Sequence, residues 1–219
     1  MKRFALVAVS LLALLVPLAV RAQESATVRI DFTDEQLDPY HWVLTLHPDG
    51  AGHFSSQMKK APQSDDEIEA PNVDRDVQLS ADYAAHVFEV AHRHLLFNET
   101  CESRMKVAFQ GWKKLSYSGP GGEGSCTFNY SKDKEIQQLG DSLEAVAQTI
   151  LEGARLESLL QHDRLGLDKE MAYLVDAAGS GRAQQICTIR QILVRLADDD
   201  QVLDRVRKRA RMLLEQAGT

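Results

Sequence analysis

Histidine is the first residue type here whose spacing could do chemistry. His86, His92 and His94 fall in one stretch of helical periodicity, and His41, His47 and His53 in a stretch that alternates like strands. Two metal ligands share a helix face when three or four residues separate them. Separations of six and two miss that spacing, and eight meets it only loosely. On the strand side, His41 and His47 have the same parity but lie about 20 Å apart at the usual rise per residue. His47 and His53 flank a turn and are the better pair, as cross-strand neighbours. No third ligand stands at working spacing, so neither a metal nor another cofactor is expected.

Two further patterns invite chemistry and lack its context. Asn72, Asp74 and Asp76 repeat at the alternate spacing of a calcium loop, but Val77 stands where that loop needs glycine and Tyr83 where it needs glutamate. The glycines of SYSGPGGEGSCTFNYS, residues 116–131, could cradle a phosphate only if a helix followed. Here an alternating run follows, and Glu123 would repel the anion, so the segment reads as a hairpin turn. There is no Gly-x-Ser-x-Gly elbow and no Ser-x-x-Lys in a catalytic context. A site built on Asp and Glu alone would leave no motif. A carboxylate-dependent hydrolase therefore stays open as the alternative, and no catalytic residue is assigned.

The cysteines tie the chemistry to a compartment. Residues 1–22 open with Lys2 and Arg3, continue through an apolar run from Phe4 to Val20 and end in Val20-Arg21-Ala22. That is a secretory signal peptide pattern with cleavage after Ala22. It leads to an oxidising medium, secreted or periplasmic, where a disulfide is permitted. Of the three cysteines, Cys101 and Cys126 bracket a strand-rich stretch at one end of a sheet and are the expected pair. Cys187 lies among Ile186, Ile189 and Ile192 and reads as a free, buried thiol, the alternative being a bridge from Cys187 to either of the others. Losing the leader removes three of the 25 basic residues and none of the 32 acidic ones, for a net charge of −10. So acidic a chain is a poor partner for nucleic acid or an anionic membrane surface. No second apolar run is long enough to span a bilayer, so no membrane insertion is expected after cleavage.

The elements that must position these residues change period near residue 131. Before it, ATVRIDF alternates, and residues 40–47 and 52–58 flank PDGAG as a hairpin. Residues 59–76 read as a polar loop, and VQLS as a short strand. Ser80 caps a helix over about 80–97 whose Ala84, Val87, Phe88, Ala91 and Leu95 make one stripe. RMKVAFQ, KKLSYS and SCTFNY then alternate in succession, which predicts a three-strand antiparallel meander with one buried face. After Ser131 the spacing is helical: 132–161, weakened by Gly140 and Gly153, then 168–178, 183–197 and 201–216, the last led by Asp198-Asp199-Asp200 as cap and dipole partner.

The expected fold is α+β: an antiparallel hairpin and meander sheet in the N-terminal half, packed against four or five helices mostly from the C-terminal half. Residues 23–130 form the strand-rich region and 131–219 the all-helical one, folding together as one domain. Tyr40, Trp42, Phe54, Trp112, Tyr117, Phe128 and Tyr130 lie almost wholly in strand regions. They read as core packing, with a binding face on the sheet as the functional version. The functional expectation is an exported, non-catalytic binding or interaction module with a protein or small-molecule partner.

Overall fold

The structure is a computed structural model, and it describes residues 26–59 and 72–218. The leader expected over 1–22 and most of the polar loop expected over 59–76 lie outside the described residues.

Six strands form one antiparallel sheet: β1 (Thr27–Thr33), β2 (His41–Leu46), β3 (Ala51–Gln57), β4 (Asp74–Gln78), β5 (Trp112–Gly119) and β6 (Gly122–Phe128). Their spatial order is β4-β3-β2-β1-β5-β6. The register follows the alternation. Val28, Ile30 and Phe32 face Leu46, Leu44 and Trp42 on one side and Tyr117, Leu115 and Lys113 on the other. That face is buried under helices, while the opposite face carries Arg29, Asp31, His53 and Lys114. The glycine-rich run is a hairpin turn: Gly119 pairs with Gly122 across Pro120 and Gly121, and the three glycines take positive φ.

Helix α1 (Ala81–Arg93) begins at Ser80, whose hydroxyl accepts from the Tyr83 amide, and buries Ala84, Val87, Phe88 and Ala91. It stops earlier than expected. His94 leaves helical geometry, and Leu95, Leu96 and Phe97 form a 3₁₀ turn at positive φ. Helix α2 (Lys134–His162) runs unbroken for 29 residues. Its two glycines are contact points instead of weak points. A Cβ on Gly140 would sit 3.0 Å from the Lys113 and Phe128 side chains, and one on Gly153 would sit 2.3 Å from Ile189. Beyond it come α3 (Leu167–Gly179), a 3₁₀ turn Ile186–Ile189, α4 (Arg190–Asp198) and α5 (Asp204–Gln216). The first part of the stretch expected as one helix over 183–197 is therefore a separate turn. Helix α5 starts after Leu203, three residues later than expected and without a side-chain cap, and the Asp199 carboxylate accepts from the Gln201 amide instead.

The meander is two strands, not three. RMKVAFQ forms no strand, and residues 104–110 are solvent-exposed. They belong to a loop wrapped around Asn129, whose side chain accepts from the Gln110 amide and donates to the Ala108 carbonyl. Alternation alone cannot distinguish a strand from an extended loop with one apolar side. Here Met105, Val107, Phe109 and Trp112 are left exposed.

Two apolar cores meet on α2. The sheet, α1 and residues 136–154 of α2 enclose one. Leu156, Leu159 and Leu160 of α2 close the other with α3, α4 and α5.

Candidate functional site

At the sheet end where β1 stops and β2 starts, paired Phe32 and Trp42 stack their rings 5.0 Å apart. The chain between these strands turns back over them. The Asp34 carboxylate accepts from the Gln36 amide at 2.8 Å, the Asp34 amide donates to the Tyr40 carbonyl, and Asp38–Pro39 is a cis peptide. This holds Leu37, Asp38 and Pro39 above the rings. From α2, residues 144, 147, 148, 151, 152 and 155 recur at three and four and so share a face. Together these groups line a half-open cleft of about 190 Å³ between the sheet end and α2.

Glu152 is the unusual residue of this cleft. It is only 3% exposed. Its Oε1 accepts from the Gln148 amide nitrogen at 2.6 Å, and its Oε2 has no donor among the described residues. Burial pushes its carboxyl up to about 8, and the neighbouring Glu170 carboxyl pushes in the same direction. With its pKa raised so far, Glu152 holds a proton at neutral pH, and the Glu170 carboxyl on the neighbouring helix favours that state. Arg155 lies 3.6 Å from Glu170 and balances part of the charge. Glu170, Lys169 and Tyr173 come from α3 and line a second hollow of about 350 Å³. Gln148, Glu152 and Arg155 line both spaces, so Glu152 sits on the seam between the two cores.

A second buried charge stands behind the first. Lys113 of β5 points under α2, 1% exposed, with its ammonium 5.9 Å from the Phe32 and Phe128 ring centres. Burial lowers its pKa, and the Asp141 and Asp34 carboxylates offset part of that. Its Nζ lies 2.7 Å from Oε1 of Glu144, an ionic contact without an aligned hydrogen bond. Three buried side-chain polar atoms lack a hydrogen-bond partner among the described residues: Glu144 Oε1, Glu152 Oε2 and Arg207 Nε. Two of the three belong to residues lining this cleft, which is what marks it out.

A larger groove, about 1250 Å³, runs between the β4 edge and residues 186–192. Several of its charges are paired with one another. Arg75 forms a two-pronged bond to Glu157 at 3.1 and 2.7 Å, and His53 lies between Asp76 at 2.9 Å and Asp74 at 3.3 Å. Cys187 opens onto it, half-buried where full burial was expected. Burial raises the thiol's pKa, so it is not an activated thiolate.

The residues singled out by spacing are dispersed. His53 pairs with Thr45, which separates it from His47. Asp74 and Asp76 are consecutive outward positions of β4 and bind His53. His94 is clamped between Glu99 at 2.7 Å and Glu135 at 2.8 Å, while the His92 ring lies edge-on to Tyr117. Among the described residues no group of three or more His, Cys, Asp or Glu is placed to hold a metal. Of the aromatics, Trp42, Phe54, Tyr117 and Phe128 are core, and Trp112 is exposed. Cys101 and Cys126 form a disulfide that ties the 101–111 loop to β6.

Neither Glu152 nor Glu170 stood out in the sequence. One signal was available. Ala145, Thr149, Glu152, Leu156 and Leu159 make a second stripe at 4-3-4-3 spacing along α2, and all five are buried. A carboxylate inside such a stripe needs a partner or a proton. In comparison with known proteins, the chain matches no family model, no curated protein and no solved structure.

Proposed function

We propose that this chain is an exported, non-catalytic binding module that receives a small molecule in the cleft between the β1–β2 connection and α2. The observation that carries this reading is the cleft itself: apolar walls from Phe32, Leu37, Pro39, Trp42 and Leu151 around a buried carboxyl with an unmet oxygen. Apolar pockets with a few convergent polar groups are the usual form of small-ligand sites. Export rests on the leader pattern over 1–22 and is supported by the Cys101–Cys126 disulfide. Among the described residues no helix is long and apolar enough to cross a membrane. The test is amide-shift mapping by NMR with a panel of neutral and charged fragments of about six to ten non-hydrogen atoms, sized to the cleft by the volume of roughly six waters. Shifts concentrated at 37–42 and 144–155 are expected. A panel that moves none of these amides ends the reading.

A hydrolase is the second reading, favoured by one observation: Glu152 is buried and lines one hollow with a second carboxyl, Glu170, and burial pushes its pKa up to about 8. Two neighbouring carboxyls, one protonated and one ionised, are the arrangement that acid-pair proteases use. The chemistry to test is therefore acid-pair hydrolysis of peptides and esters. Turnover between pH 4 and 8 that disappears in Glu152→Gln would establish it, and equal rates in the two proteins would end it.

A further inference from the structure

The ligand class can be read from what the cleft lacks, on the footing that the cleft is a ligand site as proposed above. Its walls are rich in acceptors and poor in free donors. Asp38, Glu144 and Glu152 face it, with Arg155 as the one cation of the lining. Arg155 lies against Glu170, and Lys113, behind Glu144, is buried in contact with it. The Gln148 amide nitrogen is already given to Glu152. An anionic ligand would meet these carboxyls with Arg155, itself held against Glu170 at 3.6 Å, as the one cation to face it. A neutral apolar ligand would leave Oε2 of Glu152 unmet. A cation supplies the donor the oxygen lacks and carries the charge that the departing proton leaves uncompensated.

We infer that the cleft binds a small organic cation, a primary ammonium or amidinium on an apolar body. Its N–H groups donate to the Glu152 and Glu144 carboxyl oxygens, and its body lies against Leu37, Pro39, Trp42 and Leu151. The cation takes the place of the proton on Glu152, and that proton leaves to solvent. The groups that set this exchange come from every element around Glu152: Glu144, Gln148 and Arg155 on its own helix, Lys169, Glu170 and Tyr173 on α3, and Asp38 on the β1–β2 connection. Arg155, Lys169 and Lys113 oppose a second cation, and the four carboxyls outnumber these three only once the Glu152 proton has left. The raised Glu152 pKa, about 8, means the proton is present to be displaced at pH 7.

The experiment is titration calorimetry with benzylamine, benzyl alcohol and benzoate at pH 7, in two buffers of different ionisation enthalpy. Benzylamine is expected to bind at least tenfold more tightly than benzyl alcohol, benzoate not measurably, and the buffer dependence should report close to one proton released per benzylamine bound. Glu152→Gln should cost at least tenfold in benzylamine affinity and abolish the release. The proton count is read on the unaltered chain, so it stands even if that variant fails to fold. Equal binding of benzylamine and benzyl alcohol, or tight benzylamine binding without proton release, overturns the cation assignment and leaves the ligand site intact. If neutral fragments shift the amides at 144–155 and benzylamine does not, the inference again falls alone. If nothing in the fragment panel moves them, both fall.

Discussion

The sheet-side core and the helical core are built on the same helix, and they treat charge differently. Every buried polar or charged residue among those described, from Asp34 to Glu152, stands at or before position 152. Beyond it the buried residues of α3, α4 and α5 are apolar, and the one buried polar atom without a partner among those described is Nε of the half-buried Arg207. The charges of this core sit on the rim, as in Arg209 with Asp168 at 2.8 Å and Arg164 with Asp199 at 3.3 Å. Short amphipathic helices close a core with apolar residues alone, because each turns its polar face outward. A sheet end cannot do so as completely: its strands give way to turns, and backbone and side-chain polar groups enter the interior with them. Glu152 is where the two regimes meet. Positions that break the local rule with no structural return are where function is to be sought.

The largest expected effect separates the seam from both cores. The Glu152 carboxyl is raised in the folded chain from about 4.5 to about 8, by burial first and Glu170 second. Between those pH values the folded chain keeps a proton that the unfolded chain has released. Stability must therefore fall as pH rises through that window, by at most about 4 kcal/mol. Urea unfolding at pH 5 and pH 8.5 should show this loss, and Glu152→Gln should remove most of it. The same slope in the variant would move the titration elsewhere and erase the special status of the seam.

Next in size is the disulfide, which belongs to the sheet side alone. It closes a loop with a sequence separation of 25. Replacing Cys101 and Cys126 together by serine should cost about 3 kcal/mol of global stability. Amide exchange should speed up in residues 101–111 and β6 well before α4 and α5. Uniform acceleration across both cores would mean that they open as one unit, and the contrast would then be one of composition only.

The two glycines of α2 sharpen the comparison within one element. Alanine in place of Gly153 gains about 1 kcal/mol of helix propensity. It also drives a Cβ to 2.3 Å from the branched side chain of Ile189, an overpacking cost of about 1–3 kcal/mol. A net loss of about 1 kcal/mol is expected in thermal unfolding. Gly140→Ala meets the Lys113 chain and the Phe128 ring edge at 3.0 Å, where small shifts suffice, and should be near neutral. Reversed signs would show that the sheet-side contact is the stiffer one.

What could be read from the sequence follows the same division. The change of period at residue 131 gave the α+β layout, and turn chemistry gave the 40–58 and 113–128 hairpins, because period and turn residues are local properties. RMKVAFQ was misread because its alternation is real, while the partner that would have made it a strand is absent; Asn129 holds it as a loop. The candidate cleft was illegible for a different reason. Glu152 and Glu170 are 18 positions apart on separate helices, and a carboxyl pair has no spacing rule across a turn. Only the second stripe of α2 marked Glu152 as a charge at an apolar position.

The smallest effect tests whether a buried charge elsewhere on the sheet side imitates the seam. His94 ends α1 and bridges Glu99 at 2.7 Å and Glu135 at 2.8 Å, 12% exposed. Burial pulls its pKa down, but these two carboxylates and Asp133 more than offset that, and the net direction is up. A raised histidine contributes stability that is complete below its unfolded value near 6.5 and is lost as pH rises through the folded one. His94→Gln, measured in the Glu152→Gln background to remove the larger titration, should cost about 1 kcal/mol at pH 6 and clearly less at pH 8.5. A deficit that stays constant with pH would mean that His94 works by neutral hydrogen bonding alone. Glu152 would then carry a pH dependence that has no counterpart at the end of α1.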